Sequence, residues 1–480
     1  MAHDKIGGDQ WVEQYQGRVV RATGLRSIVL RLGDRLPVWG WLLLGIAISF
    51  LLPLVTDNTF VIRVAGNVAL LGVLALGLNV VVGYAGLLDL GFVAFYGIGA
   101  YAYAYLSSDF TGIHLPTPVT LIIITVVAAL FGLLIGLASL RLLGDYLAIV
   151  TLGFGLVFVQ LATSLTRVTL PGLENTVDLT GGPNGIVNLD PLSIAGFRAR
   201  SVTEHYIILV ILLAAMMLVI YHLQKSRVGR AWAALREDEL AAEAMGLPTR
   251  RLKIQAFAAG AAIAGLSGGL FAAWQGSVFP GNFDTTLLIT VYAIIVLGGL
   301  GSLPGVLIGA IIIVAVPDIL RNADLAGKIF YVGMILLLAG TLKPRWQTPL
   351  LIVAVIMGGV IARALLLALI PDAFPALEPT GSALTDAIRG WLAIPVNATH
   401  VGNLAFVVLL ILALGVTRIQ SQLPRLLVLI PTLYLLVFVW ETRLSQEPSV
   451  TRLLFVGLLL VLLMIYRPNG LLGERRIEIV

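Results

Sequence analysis

Long apolar runs separated by shorter polar stretches are the dominant pattern of this chain. Fourteen such runs can be marked, at about 38–55, 61–82, 91–106, 117–140, 146–165, 205–223, 254–274, 287–300, 304–320, 328–342, 348–370, 401–416, 426–440 and 451–466. Many of them approach the roughly 20 residues that a helix needs to cross a bilayer. The run at 91–106 is short, which predicts a tilted, broken or re-entrant segment. The pattern predicts an all-α protein, a polytopic helical bundle in a membrane.

One polar stretch, at 223–253, lies between two of these runs and carries seven basic and four acidic residues. The residues from Ala231 to Met245 are good helix formers, and Gly246 and Pro248 then provide a helix end. We therefore expect one short helix held in water between two spans. An alanine-rich, capped helix suits insertion into a partner's cleft, because small side chains allow close approach. A solvated linker helix is the alternative.

Composition narrows the class of protein. The chain is 59% hydrophobic and 12% charged, which excludes an ordinary soluble domain with its roughly 25% of charged residues. The net charge of +5 is a weak sign of nucleic-acid binding here, because the bases gather at the ends of spans. There is no cysteine, the five histidines are scattered, and no P-loop motif is present. We predict no catalytic site, no metal site and no nucleic-acid partner.

Basic residues also predict the orientation, because cytoplasmic loops are rich in lysine and arginine. Counting spans from an inside start puts the polar stretch at 224–252 on the cytoplasmic side, as its own basic excess requires. The tail at 1–37 and the C-terminus are expected inside, and the segment at 166–204 outside. The arginines between 18 and 35 alternate with apolar residues, which fits either a helix on the membrane surface or a disordered tail.

Several strings resemble one family. One resemblance is to the coupling loop of bacterial ABC importer permeases, carried by SRVGRAWAALREDELAAEAMGLPTRRLK (226–253). Among these permeases, the string is most similar to the longer membrane subunit of the branched-chain amino-acid importers. NVVVGYAGLLDLGFVAFYGIGAY (79–101), TGGPNGI (180–186), LGGLGSLPG (297–305) and YRPNGLLG (466–473) are similar to further segments of that family. LGGLGSLPG lacks the Lys-Ser/Thr ending of a P-loop, so we predict a hairpin at the inner face.

The resemblance implies that the helix in the loop docks into a cytoplasmic ATPase. The residues that would form this docking site are Arg236, Glu237, Asp238, Glu239, Ala241, Ala242, Glu243 and Gly246. The family pattern is Glu-Ala-Ala, three residues, then Gly; here Leu240 stands where Glu is commonest and Glu239 lies one place earlier.

Polar residues inside apolar segments are the candidates for the translocation path, because polar groups at bilayer depth are costly. These candidates are Asn79, Asp89 and Gln160. For Asp89 the alternative is an N-cap of a helix starting at Leu90. Asn67, Asn79 and Gln160 can instead bridge neighbouring helices.

The predicted organisation is about 10 core spans plus an extra C-terminal block of about 3–4 spans. We divide the chain into a cytoplasmic tail at 1–37, a permease core at 38–342 with its coupling loop at 224–252, an extra transmembrane block at 343–450, and a final span with a cytoplasmic C-terminus at 451–480. The added segment at 346–450 departs from the family pattern, and we expect it to lie outside the translocation path.

The resemblance implies a permease subunit of an ABC importer in a bacterial inner membrane, with branched-chain amino acids as substrates, and we predict that the chain is not an enzyme. It would hold no cofactor of its own, because ATP binds to its partner subunits. Its expected partners are a second permease subunit, two ATPase subunits, a periplasmic binding protein and the bilayer. Related permeases for urea or short amides are an alternative. An ion-coupled secondary transporter is another, but it would normally need charged residues at mid-membrane, and the spans hold few.

Overall fold

The computed structural model describes residues 38–139, 145–166, 178–194, 197–319, 323–341, 347–369, 386–388, 390–418, 422–444, 457, 461 and 470–472. The α-helices, in chain order, are α1 Val38–Val55, α2 Thr59–Leu78, α3 Phe92–Leu106, α4 Thr117–Ser139, α5 Asp145–Ser164, α6 Val202–Lys225, α7 Arg227–Glu237, α8 Glu239–Ala244, α9 Thr249–Gln275, α10 Thr285–Gly298, α11 Leu303–Ala310, α12 Val316–Ile319, α13 Ala323–Thr341, α14 Gln347–Leu369, α15 Ala398–Arg418 and α16 Gln422–Val439. Wider π-helical turns extend some of these helices, at Asn79–Tyr84, Ile311–Ala315 and Trp440–Leu444.

Strands are short and few in these ranges. They are β1 Ser107–Ser108, β2 Ile113–His114, β3 Ile186–Val187, β4 Ser193–Ile194, β5 Phe197–Arg198 and β6 Ser277–Val278. They form three antiparallel pairs, β1 with β2, β3 with β6, and β4 with β5.

Seven helices within the described part of the chain are long and apolar enough to cross a membrane, and shorter apolar helices accompany them. The prediction of an all-α, polytopic membrane bundle is confirmed. The short run predicted at 91–106 is a single buried helix, α3, of 15 residues. The N-terminal segment at 1–37 and nearly all of the last predicted span lie outside the described residues.

The centre of the bundle is formed by α2 and α9. In their most apolar windows 78% and 72% of the residues are buried, whereas α4 and α5 have only 22% each and turn most of their surface outward. Small residues make this close packing possible. A Cβ atom at Gly99 of α3 would lie 2.1 Å from the carbonyl oxygen of Gly265 on α9, so the two backbones touch there. Glycine at these positions therefore allows α3 and α9 to pack backbone against backbone.

The bundle has two ends, joined by α9, whose 27 residues measure about 40 Å. At one end, which we call the strand end, β3 pairs with β6 and the Asp190 N–H donates to Ser107 O at 2.9 Å. At the other, the α7–α8 end, the polar helices α7 and α8 precede α9. The hairpin at 299–302 lies at the same end, because the Gly301 amide bonds to Asn79 beside them.

The C-terminal helices α14 to α16 form apolar clusters of their own with α13. Leu338 of α13 shares one cluster with Leu351 and Leu433, and Tyr331 shares another with Trp440. The Tyr331 hydroxyl donates to Glu441 Oε1 at 2.7 Å, and the Phe330 ring stacks on Trp440 at 4.1 Å. The main core cluster is separate and includes residues from α2 through the hairpin and α11.

Candidate functional site

The polar segment at the α7–α8 end is two helices, and the prediction of one continuous helix from Ala231 to Met245 is wrong. Asp238 interrupts it with extended backbone angles, φ −157° and ψ 116°. Its side chain then accepts the Ala241 amide at 3.0 Å and caps α8. An aspartate competes with the helix for backbone hydrogen bonds and so favours a cap over a helix interior. The break turns α8 relative to α7.

The two helices are tied to the start of α9 by buried contacts. The indole N–H of Trp232, a side chain 1% exposed, donates to Leu252 O at 2.9 Å. One residue further on, Lys253 Nζ lies 2.6 Å from Glu239 Oε1. The Lys253 side chain is 8% exposed, so Glu239 is its counter-ion within the chain. Glu239, a predicted docking residue, thus bonds to its own bundle and remains 37% exposed.

Arg236 also bonds inward. Its guanidinium donates to the carbonyl oxygen of Gly83, at the end of the π-helical turn that follows α2. Gly86 nearby has a φ of +71°, and a Cβ there would lie 2.8 Å from Arg236 Cγ. Glycine is required at this point for both conformation and space. Arg236 therefore anchors α7 to the end of α2.

The segment at 237–246, which contains α8, carries the remaining predicted docking residues. Glu237, Asp238, Ala241, Glu243 and Gly246 are exposed, whereas Ala242 is buried in the bundle. Two large apolar side chains lie in the same segment: Leu240 is 78% and Met245 is 84% exposed. Sequence reasoning missed both as site residues. Apolar side chains displayed on a helix in water indicate a surface that binds another protein.

Gly246 ends this helix as predicted. Its φ is +81°, its amide donates to Glu243 O at 2.9 Å, and the Leu247 amide donates to Ala242 O at 3.1 Å. No atom lies within 4 Å of the position that a Cβ would occupy. The backbone angle alone therefore makes glycine the favoured residue here.

The hairpin of LGGLGSLPG joins α10 to α11 as predicted and is held by Asn79. The Gly301 amide donates to Asn79 Oδ1 at 2.9 Å, so this path candidate bridges segments of the chain. Two residues near the C-terminus bond to the residues that begin this hairpin. The Leu471 amide donates to Leu297 O at 2.9 Å and the Leu472 amide to Gly298 O at 3.0 Å.

Asp89 lies in a fully buried position in the loop before α3. Its Oδ1 accepts the Gly91 amide at 2.9 Å, and its backbone oxygen accepts the Tyr292 hydroxyl at 2.7 Å. The helix begins at Phe92 with Gly91 as the capping residue, so the prediction of an Asp89 cap on a helix from Leu90 is wrong in register. The carboxylate instead forms an Asx-type turn in the loop just before the helix.

Gln160 is exposed on α5 and does not bridge helices within the described structure; its Nε2 donates to Ser164 on the same helix at 3.1 Å. Asn67, by contrast, accepts the Trp274 indole N–H at 3.1 Å and joins α2 to α9 as predicted. Gln160 borders a groove of about 450 Å³ between α5, the loop before α3 and the start of α10. Gly91, whose amide bonds to Asp89, lines the same groove, whereas Asn79 lies apart at the hairpin.

The strand end carries an exposed ionic cluster. His114 Nδ1 lies 2.7 Å from Asp190 Oδ2, and its Nε2 lies 3.4 Å from Asp109 Oδ1. The hydrogen bond and charge of Asp190 raise the pKa of His114 above its ordinary value. Among the described residues, no group of three or more His, Asp or Glu side chains could hold a metal ion.

The TGGPNGI string is a tight turn at this same end. Gly181, Gly182 and Gly185 have positive φ angles, and a Cβ at Gly185 would lie 2.1 Å from Val278 O. The turn thus leads directly into the pairing of β3 with β6.

Comparison with known proteins places these features in one family. Residues 60–339 match the family described as "Branched-chain amino acid transport system / permease component". The high-affinity branched-chain amino acid transport system permease protein LivM of Escherichia coli (strain K12) is 39% identical over 289 residues, covering 55% of this chain and 65% of that protein. LivH of Salmonella typhimurium is 31% identical over 174 residues, covering 35% and 52%.

A probable LivM of Methanocaldococcus jannaschii is 26% identical over 260 residues, covering 51% of this chain and 71% of its own length. No solved structure matches. The family match extends over more than half of the 480 residues and includes α8, the Asp89 loop and the hairpin at 299–302. The chain belongs to the permease-component family of branched-chain amino acid transport systems.

Proposed function

We propose that this chain is a membrane subunit of an ABC importer that carries leucine, isoleucine and valine across a bacterial inner membrane. One observation carries the proposal: α8 is displayed in water with Leu240 and Met245 exposed, yet is anchored to the spans through Lys253 and Glu239. A helix that only linked two spans would need neither feature. The substrate assignment is supported by the relatives LivM and LivH, which are branched-chain amino acid transport permeases.

In this account α8 docks into a cytoplasmic ATPase that binds and hydrolyses ATP. The outward residues Glu237, Asp238, Ala241, Glu243 and Gly246 form the contact together with the two exposed apolar side chains. Arg236 and Glu239 act from behind the surface, because both bond within the permease. Ala242 packs α8 onto its own subunit.

Movement of the ATPases would reach the spans through these anchors. Glu239 transmits it to α9 through Lys253, and Arg236 transmits it to the end of α2 through Gly83. Asn79, in the same turn, holds the hairpin at 299–302. The ATPases would shift the bundle between its inward-open and outward-open states only if they bind these two states with different free energies.

The orientation follows from the position of α8. The α7–α8 end is cytoplasmic, and the C-terminal residues Leu471 and Leu472 are bonded to it. The strand end is then periplasmic and offers a surface for a binding protein, with the turn at 180–186 among its elements. A second permease subunit would complete the path, and two ATPase subunits would complete the importer.

The C-terminal block at 346–450 is assigned to the periphery. Its described helices share clusters with α13, apart from the main core that includes α2, α3 and α9. The core at 38–342 would line the path, the tail at 1–37 would be cytoplasmic, and 451–480 would form a final span and a cytoplasmic C-terminus. The comparisons support this division, because the family match ends at residue 339.

Uptake driven by ATP hydrolysis is the test. Labelled leucine is given to cells that contain the complete importer and in which this chain is the sole permease of the family. We expect uptake with the active ATPases, none with an ATPase whose catalytic residue is replaced, and continued uptake when ionophores collapse ion gradients. Uptake that survives an inactive ATPase and stops with an ionophore would indicate an ion-coupled transporter. Uptake of urea in place of leucine would overturn the substrate assignment.

A further inference from the structure

The groove beside Gln160 has the size and the shape of a small-molecule site. Its volume of about 450 Å³ lies within the range of roughly 300–1,000 Å³ usual for such sites. Aliphatic side chains line most of it, among them Val93, Leu152, Leu156 and Leu288. Gly155 contributes no side chain to the wall. The groove therefore offers apolar contact to a compact aliphatic group.

Polar groups are added by Gln160, Asp284 and Thr285, which also line the groove. Asp284 is fixed in place, because its Oδ1 accepts the Leu287 amide at 3.1 Å and its Oδ2 accepts the Thr286 hydroxyl at 2.9 Å. A carboxylate has about four acceptor sites, so it can still receive an ammonium group. Gln160 uses its amide nitrogen on Ser164, which leaves the carbonyl oxygen as an acceptor.

The wall that carries Asp284 is positioned by aromatic packing. Phe283 is 3% exposed, and its ring centroid lies 5.7 Å from Tyr96, 6.0 Å from Tyr101 and 6.0 Å from Phe158. The contacts with Tyr96 and Phe158 are edge to face, a geometry that fixes ring orientation. Asp284 and Thr285 follow directly in the chain, so they are held at the groove by a rigid neighbour.

The floor of the groove is backbone held by hydrogen bonds. Leu90 and Gly91 line it, the Leu90 amide donates to Thr151 Oγ1 at 3.0 Å, and the Gly91 amide donates to Asp89 Oδ1 at 2.9 Å. A Cβ at Gly91 would lie 2.1 Å from Thr151 O. Asp89 therefore acts here as a positioning residue behind the floor.

We infer that this groove is a substrate site on the translocation path, taking an α-amino acid with a branched aliphatic side chain. The side chain packs on Val93, Leu156 and Leu288, and the ammonium group binds between Asp284 and Gln160. The carboxylate would meet the hydroxyl of Thr285, which lines the groove at the first position of α10, where the helix dipole is favourable. This inference rests on the proposed function and adds the site to it.

Two tryptophan variants on one helix test the groove. Leu156 is 55% exposed and lines it, whereas Leu161 is 49% exposed and does not. Leu156→Trp fills the groove and should lower leucine uptake by about tenfold or more, since a pocket discriminates about 10- to 200-fold per misplaced methylene. Leu161→Trp is the matched control and should leave uptake unchanged. Co-purification with the ATPase and its hydrolysis rate check that both variants assemble.

Substrate protection tests binding without transport. The chain has no cysteine, so Val157→Cys, in the lining of the groove, and Leu161→Cys, outside it, give single thiols on this subunit. Leucine should slow the modification of the first by a thiol reagent and leave the second unchanged, as read by mass spectrometry of this chain. Equal uptake by Leu156→Trp and the parent, equal loss in both tryptophan variants, or no protection at position 157 would overturn the site. A parent importer that takes up no leucine would instead refute the proposed function.

Discussion

Lys253 and Glu239 form an ion pair, with Nζ and Oε1 separated by 2.6 Å, that joins the first turn of α8 to α9. The lysine is almost completely buried and the glutamate is 37% exposed. Removing one member of a buried pair leaves the other charge uncompensated, which is strongly destabilising. The pair therefore holds α8 in a defined position on the bundle. A helix that transmits movement requires such an attachment.

Reversing one charge of this pair should uncouple transport, and reversing both should restore it. Glu239→Lys and Lys253→Glu should each reduce leucine uptake by about tenfold or more, because like charges then meet at a partly buried site. Glu239→Lys combined with Lys253→Glu should recover most of the uptake. Uptake and ATP hydrolysis are measured on the same purified importers.

Glu243→Lys provides the comparison on the same helix. Glu243 is exposed, so its reversal should weaken ATPase docking, and Lys253→Glu should not rescue it. If the double variant of 239 and 253 is no better than the single variants, the pair has no role in transmission.

Gly246→Val should uncouple transport while the subunit still inserts. A β-branched residue resists the φ of +81° at this position, and the open space around it excludes a steric clash as the cause. Gly246→Asn is the matched control, because asparagine tolerates the left-handed region. We expect the valine variant to lose ATPase co-purification and uptake, and the asparagine variant to keep both. Normal uptake in the valine variant would contradict the role of this turn.

The His114–Asp190 contact should make the strand end sensitive to pH. The pKa of His114 is raised in the folded protein, chiefly by the hydrogen bond to Asp190. Folding is therefore favoured by the protonated histidine below its ordinary pKa of 6.5, and this contribution is lost as pH rises through the higher folded value. The Tm of the parent should exceed that of His114→Gln at pH 5.5, and the difference should shrink by pH 8.5. A difference in Tm that does not change with pH would contradict this linkage.

Deleting the extra C-terminal block should leave transport intact. Joining Pro344 directly to Asn469 would remove four predicted spans, an even number, so the chain would end on the same side. The newly exposed face of α13, including Tyr331 and Leu338, would meet lipid, which is as apolar as the side chains it replaces. We expect the variant to insert, to bind its ATPase and to take up leucine. A variant that folds and binds but does not transport would place the block in the path.

Hydropathy predicted the spans well, because length and apolar content determine which segments can cross a bilayer. The polar segment was harder to predict. A run of good helix formers gave no sign that Asp238 would be used as a cap, since a cap depends on local backbone geometry. Arg236 and Glu239 were grouped with the docking residues because they lie in the string that resembles the family's coupling loop. Their partners, Gly83 and Lys253, depend on tertiary packing, which spacing along the chain does not determine.

For the path candidates too, the sequence indicated which residues are unusual but not which residues they contact. Asn79 and Asp89 were correctly singled out as polar groups within apolar surroundings, and both are buried. That Asn79 holds the hairpin through Gly301 depends on a contact 222 residues away. The groove beside Gln160 requires the start of α10 to meet α5, and no sequence pattern predicts this juxtaposition.

Cross-linking from Met245 tests the central claim, that α8 docks on an ATPase, most directly. Met245→Cys places a single thiol on the exposed face of α8, and Val187→Cys places one at the strand end, where Val187 is 50% exposed. In membranes containing the complete importer, we expect a short bifunctional reagent to link Met245→Cys to the ATPase subunit and Val187→Cys not to be linked to it. We also expect an impermeant thiol reagent added from outside to label only Val187→Cys. Labelling of Met245→Cys from outside, or the absence of any link between it and the ATPase, would contradict the account.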